Sequence, residues 1–323
     1  MPVYNGALYL KEAIDSILSQ THTNFELIII NDGSTDNSEE IILSYDDTRI
    51  HYIVNEKNSG ICVTLNKGLD AARGKYIARM DCDDISDINR LSVQVDFMES
   101  HLEIGICGSD IHLFGDTQGK VQMEQNSDLC AAGLLFNPCF AHPTVMWRKD
   151  IMERFNIRYN ESYRGLEDFV MWWQFAEVTK LANITLALLM YRKHSSQETQ
   201  NRSEWVIHQS NVFRRYRFSK FGLALSPSEM EVFDNYSFGN FTDFSIAQYD
   251  LFVDVMVKLY KSSNYPIITS KKALKILSAK AIAYILSQSI CLRKDRVRLL
   301  TKAFVRGGVP MLWYLRFLKS YLF

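Results

Sequence analysis

The sequence predicts an α/β protein with a mostly parallel sheet flanked by helices, followed by a helical C-terminal region. Three observations carry this expectation. Short apolar runs alternate with amphipathic helical patterns through the first hundred residues, joined by short connections. Asn/Gly/Ser and acidic clusters stand at the ends of those runs, where open α/β sheets gather ligands. Beyond Asn201 the strand signals stop and helical periodicity takes over. A chain of 323 residues suits two units at roughly 150 residues each, and 47% hydrophobic with 23% charged residues exclude disorder.

Taken in order, residues 25–30 form an apolar strand. It ends in Asn31-Asp32-Gly33-Ser34-Thr35-Asp36, a turn able to cap a helix over 38–44. A second strand covers 50–54, and a helix over 61–72 is closed by Gly74. A third strand, 76–80, runs into Asp81-Cys82-Asp83-Asp84, after which Asp87 is the expected N-cap of a helix over 89–100.

Side chains alternate along an extended segment, so Asp81 and Asp83 leave one face while Cys82 turns into the sheet. Three carboxylates in four residues repel one another unless a cation or hydrogen-bond donors offset them. Mg²⁺ or Mn²⁺ held together with phosphates is one completion, and an acidic loop before the next helix is the other. Asp84 reads as a support residue.

Four motifs then come in the order and spacing of family 2 glycosyltransferases: Pro2-Val3-Tyr4-Asn5, Asn31 to Asp36, Asn58-Ser59-Gly60 with Asn66-Lys67-Gly68, and Asp81 to Asp84. The chain resembles that family through about residue 200. The resemblance implies a GT-A fold, a UDP-sugar donor and Mn²⁺ or Mg²⁺. By position, Pro2, Val3 and Tyr4 would line the nucleoside pocket and Asp32 would bind the uracil edge. Gly60 and Asn66 would lie near the nucleotide, although Gly60 also suits a plain helix entry. Asp81 would contact the ribose side and Asp83 the metal. In the family the Pro-Val-Tyr-Asn segment ends a longer first strand, so the first strand reads as truncated and Met1 as an internal methionine of a longer chain.

Further resemblances extend the site. Glu167-Asp168 is similar to the family's Glu-Asp motif, which makes Asp168 the general base and Glu167 its neighbour. Two acids in a first helical turn also suit the helix dipole by themselves. His194, in Tyr191-Arg192-Lys193-His194, would complete the metal shell or contact the diphosphate, or be an ordinary surface histidine. His142 reads chiefly as loop-shaping. Trp172 and Trp173 could stack on a sugar or fill the core. The implied reaction is transfer of a hexosyl or N-acetylhexosaminyl unit, with inversion, to a sugar hydroxyl in cell-surface polysaccharide synthesis. Two rivals are a catalytically silent sugar-nucleotide-binding module and a metal-dependent phosphohydrolase.

Charge is split along the chain. Residues 265–323 carry twelve Lys/Arg against Asp295, or +11, and the remainder −12, which together make the net −1. The expected organisation is a catalytic domain over 1–203, with a nucleotide-binding half (1–100) and an acceptor-binding half (101–203), then a helical region over 204–323. The basic apolar tail, ending in an interfacial helix over 311–323, suits an anionic membrane surface; a helical subdomain with a solvated cationic side is the other reading. Nucleic acid is not expected as a partner. Six scattered cysteines read as reduced, placing the protein in the cytoplasm, peripheral at the inner face of the plasma membrane. The acceptor is expected to be polyprenyl-diphosphate-linked.

Overall fold

The computed structural model describes residues 1–195, 204–262, 270–288 and 293–306. The chain divides into two compact units, 1–130 with 138–207 and 131–137 with 208–323. The segment 131–137 thus groups with the second unit.

In the first unit, β1 (Pro2–Val3), β2 (Leu27–Asn31) and β3 (Ile50–Val54) form a parallel sheet in the order β1-β2-β3. The run Leu27-Ile28-Ile29-Ile30 is continuously apolar because the middle strand of a parallel sheet is covered on both faces. Helix α1 (Ala7–Leu18) buries Leu10, Ala13, Ile14 and Ile17, the one-face spacing of an amphipathic helix, against Val3, Leu27 and Ile29. Burial of each such Leu or Ile stabilises by roughly 2 kcal/mol. The Met1 amino group donates to the Ile28 carbonyl at 2.8 Å, and burial lowers its pKa to about 5. Helices α2 (Ser38–Leu43) and α3 (Ile61–Ala71) follow β2 and β3.

A second sheet has the order β4-β8-β6-β9-β5: β4 (Tyr76–Ala78), β8 (Met146–Arg148), β6 (Ile104–Gly115), β9 (Lys180–Lys193) and β5 (Ile85–Ser86), with β7 (Gly119–Val121) on β6. Parallel pairing holds for β1–β3 and for the long β6–β9 pair, and antiparallel strands complete this sheet. Helix α4 (Arg90–Ser100) starts one residue late. Asn89 is at its N-cap position, and the expected cap, Asp87, instead accepts the Asn89 N–H in an Asx turn. Helices α5 (Ser127–Gly133), α6 (Lys149–Arg154) and α7 (Glu167–Ala176) complete the helices up to β9, after which α8 (Glu204–Lys220) begins.

The second unit is helical: α8 from His208 onward, α9 (Pro227–Ser237), α10 (Ile246–Lys261), α11 (Lys271–Gln288) and α12 (Arg293–Val305). Helices α9 and α10 each open with a reciprocal capping box, Ser226/Glu229 and Ser245/Gln248. In α11, Leu274, Ala281 and Ile285 are buried, and Lys302 of α12 bonds Asp250 and Asp254 of α10, where Arg306 also pairs with Asp254. This stretch of the basic tail is therefore packed as a subdomain with part of its charge neutralised. The interfacial helix expected over 311–323 lies outside the described residues. Among the described residues no helix is long and apolar enough to cross a membrane.

Candidate active site

The site grows from the ends of β1, β2 and β4. After β1, Asn5 adopts φ 50° and its Oδ1 accepts the Thr35 N–H at 2.8 Å. The Asn5 N–H in turn donates to Ser34 Oγ at 3.0 Å. Asp36 accepts the Ala7 N–H at 2.9 Å, so the loops leaving β1 and β2 brace each other and open α1. Val3 faces the core, while Tyr4 at the strand end is half exposed and Pro2 is buried.

Asp32 is 4% exposed, and its carboxylate accepts three hydrogen bonds: from Asn55 Nδ2 at 2.8 Å, Ser59 N–H at 2.8 Å and Gly60 N–H at 2.9 Å. It therefore pins the loop that enters α3, where Gly60 takes φ 90°. Gly33 is required: at φ +69°, a Cβ there would stand 2.6 Å from the Lys57 carbonyl carbon. Asn66 spends both ends of its amide on Tyr159, donating to the carbonyl at 2.8 Å and accepting the N–H at 3.0 Å.

The acidic segment does not continue β4 as an extended strand. The strand ends at Ala78, the chain bends at Cys82 and Asp83, and ligand oxygens of Asp81, Asp83 and Asp84 come within 4.8 Å of one another. Strict alternation would have excluded Asp84; the bend recruits it. Asp84 is 1% exposed; its Oδ1 accepts the Arg192 N–H at 2.8 Å and its Oδ2 is buried without a hydrogen-bond partner. Burial, then the neighbouring Asp81 and Asp83 carboxylates, push Asp84 well above the usual carboxylate range, and burial also raises Asp81 although the Arg79 guanidinium pairs with it. His194 Nε2 lies 3.0 Å from Asp83 Oδ2. Three crowded carboxylates, those of Asp81, Asp83 and Asp84, one with a buried unpartnered oxygen, are a donor set that fits a hard divalent cation. Cys82 turns away as expected, its Sγ packed over Gly6.

The second half of the site is the start of α7. Glu167 and Asp168 occupy its first turn. The Glu167 carboxylate accepts the Gly165 N–H, and burial followed by the adjacent Asp168 charge pushes Glu167 up to about 7. Asp168 Oδ1 accepts the Phe169 N–H at 2.6 Å. Arg79 is buried and its guanidinium pairs with the Asp81 carboxylate. Tyr159, 3% exposed, lies 2.9 Å through its hydroxyl from His142 Nε2, and burial pushes His142 well below the ordinary imidazole value, keeping it neutral. Trp172 and Trp173 are core: they are 0% and 2% exposed, and Trp172 meets Phe140 and His142 edge-on, so neither ring is open to a sugar.

Arg79, Tyr159 and the gathered Asp84 escaped the sequence reading. Arg79 had a signal, since it stands two residues before Asp81 in the sequence; Tyr159 had none, being brought in by Asn66 across 93 residues.

The chain is similar to known proteins in sequence and in fold. Residues 1–163 match the glycosyl transferase family 2 model. An uncharacterized glycosyltransferase of Haemophilus influenzae is 32% identical over 256 residues, covering 71% of this chain and 78% of that protein. One of Methanocaldococcus jannaschii is 34% identical over 202 residues, covering 59% and 69% respectively. The fold is shared with Staphylococcus aureus TarS (residues 1–349, solved with UDP-GlcNAc) at a TM-score of 0.60 and 16% identity, covering 99% of this chain and 89% of that one. With the family's motifs in order, the GT-A arrangement around them and these relatives, the chain belongs to glycosyl transferase family 2.

Proposed function

We propose that the protein transfers a hexosyl or N-acetylhexosaminyl unit from a UDP-sugar, with inversion, to a sugar hydroxyl of a polyprenyl-diphosphate-linked acceptor in cell-surface polysaccharide synthesis. The observation that carries this reading is the gathering of the Asp81, Asp83 and Asp84 oxygens after β4, with the buried Arg79 paired to Asp81, in a chain that also places Glu167 and Asp168 in the first turn of α7. The TarS complex with UDP-GlcNAc supports a uridine nucleotide as donor.

The residues divide the work. Asp32, with Ser59 and Gly60 drawn onto it, shapes the wall for the base, and Tyr4 supplies a half-exposed ring. Asp81, Asp83 and Asp84, with His194 beside Asp83, would hold Mn²⁺ or Mg²⁺, which would supply Lewis-acid stabilisation of negative charge on a diphosphate. Asp168 takes the proton from the attacking hydroxyl, and Glu167, whose carboxyl is pushed up to about 7, shares the proton inventory of that turn. Asn66 acts through the Tyr159 segment rather than on the nucleotide. The exposed Lys271, Lys272 and Arg298 of the tail meet an anionic leaflet at the cytoplasmic face of the plasma membrane.

The test is incubation with UDP-Glc, UDP-Gal, UDP-GlcNAc and UDP-GalNAc, a synthetic polyprenyl-diphosphate sugar, and Mn²⁺ or Mg²⁺, with the product's anomeric configuration read by NMR. An inverted glycoside from one donor is expected. Donor binding without transfer, or release of phosphate from a phosphomonoester, would replace this reading with one of its rivals.

A further inference from the structure

The side chain of Arg192 is only 13% exposed although it ends in a permanent charge. Its Nε donates to the Asp83 carbonyl oxygen at 2.8 Å and its own backbone N–H to Asp84 Oδ1 at 2.8 Å. The guanidinium pairs with the Glu12 carboxylate and is stacked between two rings, its carbon 4.2 Å from the Tyr9 centroid and 4.4 Å from that of Phe114. Tyr9 and Glu12 are three residues apart on α1, so one helix face offers a plate and an acid together. Phe114 comes from β6. A planar donor fork between two aromatic plates has its orientation set in a way an ammonium could not reproduce.

We propose that Arg192 is a positioning residue for the cation site: it locks the acidic turn onto β9, so that the Asp81, Asp83 and Asp84 oxygens stay gathered and His194, two residues further along, stays opposite Asp83. The inference rests on the metal role proposed above and adds a residue that touches no substrate. Three features support it. The two bonds from Arg192 reach the main chain of one cluster member and the side chain of the next. The main-chain N–H of residue 192 holds Asp84 Oδ1 and leaves Oδ2 unpartnered, while the arginine side chain adds the Nε bond that fixes the neighbouring Asp83 main chain. The Tyr9 ring that stacks on Arg192 also lies 5.0 Å from the His194 ring, so Arg192 and His194, just past the end of β9, share one plate.

The experiment is calorimetric titration of Mn²⁺ into the full chain with UDP present, without turnover, on the wild type, Arg192→Lys and Phe114→Leu, with melting temperature recorded for each. Arg192→Lys keeps the charge but loses the fork. Removing a hydrogen-bonded outer partner of a metal site typically weakens metal binding by roughly 10–100-fold, the loss expected here. UDP affinity without metal should be unchanged. Phe114→Leu, which removes one plate and leaves Arg192 in place, should weaken Mn²⁺ binding by less. A role in stability alone would lower the melting temperature and leave Mn²⁺ affinity where it was. Variants that bind Mn²⁺ as tightly as the wild type overturn the proposal, and if Arg192→Lys does not fold, Phe114→Leu decides by itself. A wild type that takes up no Mn²⁺ beside UDP removes the metal reading, and this role with it.

Discussion

Asn66→Asp separates two jobs for one residue. In the native structure the Asn66 amide donates to the Tyr159 carbonyl at 2.8 Å and accepts from its N–H at 3.0 Å. The substitution is isosteric and keeps the second bond, but it sets an ionised oxygen against the carbonyl oxygen at the position of the first. A lost hydrogen bond with a stranded acceptor costs about 1–3 kcal/mol, and the facing oxygens bring the expected loss to about 3 kcal/mol. For a unit of this size that is a fall in melting temperature of about 6–12 °C. Protonation returns the donor, so the introduced carboxyl has a raised pKa in the folded state. The stability it supplies is full below the unfolded value of about 3.9 and is lost as pH rises through the folded one. The deficit relative to wild type should therefore shrink as pH falls from 7.5 toward 4.5. Thermal melts across that range, with calorimetric UDP titration at pH 7.5, test the reasoning. An unchanged melting temperature with much weaker UDP binding would show that Asn66 serves the nucleotide and that its clasp on Tyr159 is incidental.

The remaining expectations concern the chemistry and the tail. Asp168→Asn should lower turnover by about a hundredfold or more, the scale of general-base catalysis, while UDP titrates as in the wild type; retained turnover would move the base elsewhere. Asp84→Asn should remove Mn²⁺-dependent tightening of UDP binding in calorimetry, since it replaces the carboxyl group whose buried Oδ2 has no hydrogen-bond partner and lies within the acidic cluster. Glu167 is raised from 4.5 to about 7 in the folded protein, so its contribution to stability is full below pH 4.5 and lost as pH rises through about 7. Glu167→Gln should flatten that part of the stability profile, and denaturant melts at pH 5 and pH 8 that keep the wild-type difference would count against the raised value. In liposome flotation with anionic vesicles, removal of 265–323 should abolish binding at low salt; flotation that survives the truncation places any membrane contact in another part of the chain.

Much of the first unit was legible because its determinants are local. The apolar run 25–30 ends in the Asn31 to Asp36 turn, which carries its own capping groups, and its Leu27–Asn31 part forms β2, while residues 50–54 match β3 residue for residue. The mixed second sheet was not legible, since β4, β8 and β5 are two or three residues long and their pairing depends on partners tens of residues away. The tail shows the same limit. Its helical character was legible over 204–323, but whether its basic residues meet lipid or Asp250 and Asp254 is a question of packing.

By itself the sequence determined the family, the acidic turn after the third strand, and the Glu167-Asp168 turn, because those follow from residue order and short-range stereochemistry. Only the tertiary structure decided that Asp84 joins Asp81 and Asp83, that Asn66 holds Tyr159, and that Arg79 and Arg192 serve the carboxylates from inside. The physical reason is common to all four. A buried charge or polar group must be satisfied where it lies, and its partner can come from any part of the chain that folding brings within about 3 Å.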